Sequence, residues 1–266
     1  MVAVTQTAFY VPEGATQDGA ERFRSTEHTN GPWSSGLQHG GPPAALLGRA
    51  LERVTADDAR FVGRVTVDLW GPVPVEPLTV ATRVERPGRS VELLSAQLRA
   101  SERLVAQASA WRFPARPASP RTAPVDVPRG PEHGREQPRP PSWHGGYLDA
   151  VEWRWLHGAV TDPGPATVWM RPRVALVEGE PMTPLQRLLA CADSASGASA
   201  ALDPAEWAFL NTELSVHLVR PVDGEWVCVD AETTLAGTST GLAAARLLDR
   251  RGLVGRSAQS LLVAAR

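Results

Sequence analysis

The chain has 266 residues, a formal net charge of −2 and no lysine, so arginine carries all the positive charge, a pattern that reads as coding bias. No basic run stands out, which argues against nucleic acid or an anionic membrane as the main partner. The apolar fraction of 42% is that of a globular protein, and the length suits one large domain or two ordinary ones.

The first residues, MVAVTQTAFYVPEGA, lack the basic and apolar regions of a signal peptide. No stretch reaches the roughly 18 uninterrupted apolar residues of a membrane span. Cys191 and Cys228 sit in apolar contexts without metal-ligand spacing and read as two buried thiols in a reducing compartment. The expectation is a cytoplasmic chain with no metal and no cofactor.

A first strand is expected near Arg22–Thr29. A helix follows over Pro42–Val54, introduced by Gly40 and Gly41 and rich in small residues on more than one face, as suits a helix wrapped closely by a sheet. Four strands come next, over Arg60–Trp70, Leu78–Arg86, Ser90–Ala100 and Leu104–Phe113. Residues 114–146 begin with a run from Pro114 to Pro141 that holds nine prolines, too many for a helix or an inner strand. That segment is expected to be an extended linker between an N-terminal domain (1–113) and a C-terminal domain (147–266). Beyond it the order recurs: a strand near Thr167–Leu176, a helix over about Pro184–Leu202, and strands over Leu210–Val219, Trp226–Thr234, Thr238–Asp249 and Gly255–Ala264.

The recurrence is a repeat. The segment from Val62 aligns with that from Asn211 at an offset of 149 without a gap, bringing Val67 onto Val216, Pro72 onto Pro221 and Leu104 onto Leu253. The same offset carried upstream brings His39 onto Leu188 and Ala44 onto Asp193. Short turns between strands predict antiparallel pairing.

GLQHGGPPAALLGRAL in the first half, with CADSASG, FLNTELSVHLVRP, GEWV and GRSAQSLLV in the second, resembles the double-hotdog acyl-CoA thioesterases, the acyl-CoA thioesterase II-like family. The resemblance covers nearly the whole chain apart from the linker. It implies an α+β fold, a tandem (double) hotdog in which each half wraps a long helix in an antiparallel sheet. It implies hydrolysis of acyl-CoA to free acid and CoA. In that family an Asp on the second-half helix, a Ser or Thr at the start of the next strand and a Gln on the last strand hold the attacking water. Asp193 matches the first and Gln259 the last. The middle position falls on Asn211, with Thr212 beside it, which departs from the family's hydroxyl.

The repeat sharpens these candidates. Gln259 stands opposite Ala110, Asp193 opposite Ala44, and Asn211 and Thr212 opposite Val62 and Gly63, so the second half is polar where the first is apolar or bare. A carboxylate in a swallowed helix is destabilising unless partners hold it. Strand alternation through Leu210, Leu214, Val216 and Leu218 turns Thr212 inward, whereas the family register selects Asn211. Both readings stand. His39, Gly40 and Gly41, ahead of the first-half helix, suit contact with substrate and an oxyanion, since backbone N–H groups at a helix N-terminus face outward there. The nine tryptophans read as core and interface anchors. Exposed sheet edges leave room for a homodimer. The rival readings are a non-catalytic acyl-CoA or acyl-carrier binding hotdog protein, and a hotdog dehydratase or acyltransferase.

Overall fold

The computed structural model describes residues 7–54, 60–115, 127–140 and 143–266. The first half has strands β1 (Ala8–Ala15) and β2 (Glu21–Ser25), helix α1 (Gly41–Arg53), then β3 (Arg60–Leu69), β4 (Pro77–Arg86), β5 (Glu92–Ala100) and β6 (Arg103–Pro114). The second half starts with a short helix α2 (Gly146–Ala150) and strands β7 (Val151–Ala159), β8 (Asp162–Pro172) and β9 (Ala175–Val177). Helices α3 (Pro184–Ala192) and α4 (Ala195–Ala198) follow, then β10 (Trp207–Asn211), β11 (Glu213–Leu218), β12 (Val227–Leu235), β13 (Thr240–Asp249) and β14 (Gly252–Ala265).

All fourteen strands form one sheet, ordered β7-β8-β12-β13-β14-β11-β3-β6-β5-β4-β2-β1-β9, with β10 also on β14. Strand register carries the repeat at the offset read from the residues. Leu94 pairs with Ala110 on β5 and β6, and Ala243 pairs with Gln259 on β13 and β14. Thr66 pairs with Ser109 as Ser215 does with Ala258. The halves meet where β3 runs antiparallel to β11, and there Thr66 faces Ser215, its own counterpart 149 positions on, with the two hydroxyls 3.3 Å apart. A pseudo-twofold axis therefore passes through this pair. Each half is a hotdog, a helix against a strongly curved antiparallel sheet.

The offset does not extend through the helices. Pro184 opens α3 143 positions after Gly41 opens α1 (184 − 41), six short of the strand offset. Counted from the helix starts, Asp193 stands opposite Ala50 (193 − 143), not Ala44, and Ala50 is also buried. Ladder hydrogen bonds lock strand register, whereas the loops flanking a helix tolerate added residues. The second helix is also interrupted: α3 ends at Ala192, Asp193 and Ser194 form a turn, and α4 adds only Ala195–Ala198.

α1 and α3 pack against each other inside the sheet. Residues Gly41 through Leu51 are all buried. A Cβ on Gly48 would strike the Leu189 side chain, and one on Gly41 would strike the Ala190 carbonyl, so glycine sets the separation of the helices. α3 is started by a capping box, in which Thr183 Oγ1 accepts from the Gln186 N–H and Gln186 Oε1 accepts from the Thr183 N–H, with Pro184 in the first turn. Arg49, buried on α1, is neutralised by Glu21 and Glu180.

The Pro-rich segment does more than span. Residues 127–140 hold a short 3-10 turn at Pro131–His133. Arg135 and Trp155 exchange backbone hydrogen bonds of 3.0 and 2.8 Å. Residues 116–126 and 141–142 of this segment lie outside the described residues. Among the described residues no helix is long and apolar enough to cross a membrane.

Candidate active site

Asp193 stands where α3 stops, its side chain only 4% exposed. A charge there needs partners; three residues supply them, and a fourth packs against it. Asn211 Nδ2 donates to Asp193 Oδ1 at 2.7 Å. Gln259 Nε2 donates to the Asp193 carbonyl at 3.0 Å and reaches Oδ1 at 3.4 Å. His39 Nδ1 lies 3.1 Å from Oδ2. Gly40 packs so closely that a Cβ on it would stand 2.7 Å from Oδ1.

Gln259 is fully buried, and its amide is fully used, because Oε1 accepts the Ser196 N–H at 3.2 Å. It thereby clamps the turn from Asp193 to Ser196. Its counterpart Ala110, equally buried, has no such turn to hold. An unpartnered buried amide would cost about 1–3 kcal/mol, so these bonds are what let a Gln replace an Ala at this register position.

A bulge sets which of Asn211 and Thr212 faces the carboxylate. β10 pairs Asn211 with Leu261, while β11 pairs Ser215 with Ala258. Four steps on one strand thus match three on the other, and the extra residue falls at the break around Thr212. Parity flips there: Phe209 is buried and Asn211 half-buried before the break, while Leu214 and Val216 are buried after it. Asn211 consequently points to the carboxylate. Thr212 is exposed, and its hydroxyl donates to the Ser260 carbonyl at 3.3 Å. The alternation that would turn Thr212 inward assumed an unbroken strand.

His39 is fixed from behind. Its ring stacks on Tyr147 at 3.8 Å between centroids, with an interplanar angle of 13°. Tyr147 Oη donates to the Ala190 carbonyl at 2.7 Å and lies 2.9 Å from Ser194 Oγ. Burial first, with the Asp193 carboxylate adding to it and the Ser194 hydrogen bond opposing, holds the phenol well above its ordinary value, so it stays neutral. Tyr147 reaches this place through Gly145 and Gly146, both at positive φ (80° and 53°). His39 Nδ1 also faces the Gly41 N–H at 3.0 Å. One nitrogen cannot both accept from that N–H and donate to the carboxylate, so a proton on Nδ1 selects Asp193. Gly41 therefore packs against α3 and backs His39, whereas His39 and Gly40 face the cavity.

That cavity, about 600 Å3, lies at the junction of the halves and is lined by His39, Gly40, Asp193 and Asn211 at one end. Trp33, Trp143, Trp153, Trp155 and Phe209 also line it, as do Glu136, Gln137 and Arg139 of the Pro-rich segment. Four of the nine tryptophans are thus cavity wall as well as packing. Tyr147, Ser194 and the linker wall were not anticipated from the residues. One signal was available, since Tyr147 is one of only two tyrosines and follows a Gly-Gly pair. Among the described residues no group of three or more His, Cys, Asp or Glu side chains could hold a metal ion.

Residues 29–113 match the family described as acyl-CoA thioesterase N-terminal domain, and residues 131–263 the one described as acyl-CoA thioesterase C-terminal domain. No curated protein matched the chain. Among solved structures, a protein provisionally assigned as a thioesterase II from Thermobifida fusca is similar, with 18% identity, 98% of this chain and 99% of that chain covered, and a TM-score of 0.76. A hotdog-fold protein of unknown function from Alicyclobacillus acidocaldarius has 15% identity, 95% coverage of both chains and a TM-score of 0.74. An acyl-CoA thioesterase II from Mycobacterium marinum has 16% identity, 93% coverage of both and a TM-score of 0.67. At these identities the solved structures establish the hotdog fold alone.

Proposed function

The chain belongs to the acyl-CoA thioesterase family, and from that premise we propose that it hydrolyses an acyl-CoA to the free acid and CoA at Asp193. The observation that carries this reading is a buried carboxylate at the junction of the halves, held by Asn211 and Gln259 where the first half has Val62 and Ala110, and opening on a cavity large enough for an acyl group.

A thioester is already electrophilic, so water needs a base and a fixed position. Asp193 takes the water's proton as the oxygen attacks the carbonyl carbon. Asn211 donates to the carboxylate through Nδ2 and accepts from the water through Oδ1. Gln259 acts as a positioning residue, holding the turn that presents Asp193. The carbonyl electron pair moves onto oxygen, and the Gly40 N–H at the start of α1 stabilises that oxyanion. Collapse breaks the C–S bond, and the departing thiolate takes the proton from Asp193. His39, beside Oδ2, stabilises the carboxylate's charge and keeps it aimed.

The test is free-thiol release from a panel of acyl-CoAs, with wild type beside Asp193→Ala and Gln259→Ala. Turnover lost in both folded variants supports the reading. No turnover by wild type on any acyl-CoA, with binding intact, would move the function to thioester binding. The 3.1 Å approach of His39 to Asp193 also favours a second reading, dehydration of a 3-hydroxyacyl thioester, with His39 taking the α-proton and Asp193 protonating the leaving hydroxyl. An enoyl product in place of free thiol would select it.

A further inference from the structure

Aliphatic side chains such as Leu69, Val73 and Leu148 share the cavity wall with aromatic rings, and the rings form two arms of contacts that lead away from the carboxylate. One starts at His39 and, through Tyr147 buried behind it, reaches Trp153 edge-on at 6.3 Å and then Trp155 in parallel at 6.1 Å; His39, Trp153 and Trp155 face the cavity. The other starts at Asn211. Phe209 lies two residues earlier on the same strand face, about 6.6 Å along, and meets Trp33 at 5.2 Å and 90°. Trp33 in turn meets Trp143 at 5.7 Å and 78°. Arg266 packs its guanidinium over the Trp33 ring at 5.5 Å, which fixes that ring further.

Both arms contribute rings to the cavity on which Asp193 opens, so an acyl group whose carbonyl sits at Asp193 has aromatic side chains among its neighbours. Indole and phenyl rings turn about two torsions and cannot reshape around a flexible chain, and a straight alkyl chain loses rotamer freedom against such walls. A planar ring loses none within itself and gains edge-to-face partners whose quadrupoles complement its own. We propose that the enzyme's substrate is an aryl-bearing acyl thioester, its aromatic ring held between the Trp33–Phe209 and Trp153–Trp155 pairs. This assignment rests on the thioester-cleavage reading for its chemistry but on the cavity for its ligand.

Binding and turnover are therefore measured separately. Non-hydrolysable CoA thioethers bearing 2-phenylethyl, 2-cyclohexylethyl and hexyl groups are titrated against the full chain by calorimetry. Cyclohexyl matches phenyl in carbon number and reach and exceeds it in apolar area, so a cavity that senses only apolar area prefers cyclohexyl. The expected result is phenylethyl binding about tenfold tighter than either, the worth of one or two ring pairs. Trp33→Leu and Trp153→Leu, confirmed folded by melting, are expected to shrink that ratio toward unity. Equal or tighter cyclohexyl or hexyl binding by wild type overturns the proposal. So does a ratio unchanged in both folded variants. Hydrolysis of phenylacetyl-CoA, cyclohexylacetyl-CoA and hexanoyl-CoA is then followed by thiol release. Failure to hydrolyse any of them, with the phenylethyl preference intact, counts against thioester cleavage and leaves the ring site standing.

Discussion

Replacing Gly40 by alanine tests whether the Asp193 carboxylate sits where its chemistry requires. Gly40 has φ −66° and ψ −20°, which alanine adopts freely, so backbone strain plays no part. The new methyl would stand 2.7 and 2.8 Å from the two carboxylate oxygens. Ordinary contact begins near 3.4 Å, so the carboxylate must withdraw by about 0.7 Å (3.4 − 2.7). Its contacts with Asn211 at 2.7 Å and His39 at 3.1 Å cannot both survive that. A charge-assisted hydrogen bond is worth about 1.5–3 kcal/mol. Alanine in place of glycine at a φ and ψ it tolerates returns about 0.4–1 kcal/mol by restricting the unfolded chain. The net loss is about 1 kcal/mol, or about 3 °C in Tm for a chain of this size. Misplacing the base by this much is expected to lower kcat about 30- to 100-fold. The assay pairs thiol release with thermal melting in two backgrounds. With Asp193→Ala already present the methyl has room, and Gly40→Ala should raise Tm instead of lowering it. A wild-type kcat in Gly40→Ala, or a Tm shift of the same sign in both backgrounds, would refute the reasoning.

Asn211→Ala should reduce kcat about 100-fold, whereas Thr212→Ala, on the exposed side of the bulge, should stay within about twofold; steady-state kinetics on the preferred acyl-CoA separates them. Burial raises the pKa of Glu52, against the opposing hydrogen bonds from Gln186 and Thr183. The folded chain thus holds that proton more tightly than the unfolded chain, and the stability this contributes is full at low pH and lost as pH rises through the raised value. Glu52→Gln removes the dependence, so its Tm relative to wild type should improve as pH rises above 4.5, the ordinary value, and a flat difference would count against a buried, strained carboxylate. Burial also pushes the Cys228 thiol up, to about 12, and the Cys191 thiol further. An aromatic disulfide reagent should therefore titrate no thiol in the native chain and two after denaturation, leaving released CoA as the only signal in the thiol assay.

Much of the fold was legible because strand register is rigid. A gapless offset between Val62 and Asn211 could be read as antiparallel ladders, and Gln259 against Ala110 is a true register match. The helix was less legible, since nothing in a loop preserves spacing, and the same offset applied to Asp193 selected the wrong counterpart. β1, β7 and β9 escaped notice for different reasons. β9 is three residues long and pairs in parallel with β1 across the halves, a long-range contact without a local pattern. Asp193 and Gln259 were named as candidates from polarity contrast and family spacing, and His39 and Gly40 from their place ahead of a helix start. That Asn211 and not Thr212 bonds the carboxylate follows from a bulge that no alternation rule reveals. The tryptophan walls were hidden because Trp33 comes from a segment far from the stretch that holds Trp143, Trp153 and Trp155, and only the folded chain brings them to one space.

The self-pairing of Thr66 with Ser215 has a consequence for stoichiometry. Two identical hotdogs around such an axis would carry two equivalent pockets. Here the mirror positions of Asn211 and Gln259 are Val62 and Ala110, both buried and apolar, so one end of the pseudo-symmetric body is scaffold. A ligand titration should break at one equivalent per chain. The apolar end is free to drift in sequence so long as it keeps its volume, while the polar end, which draws His39 and Gly40 from the first half and Asp193, Asn211 and Gln259 from the second, has less room to change.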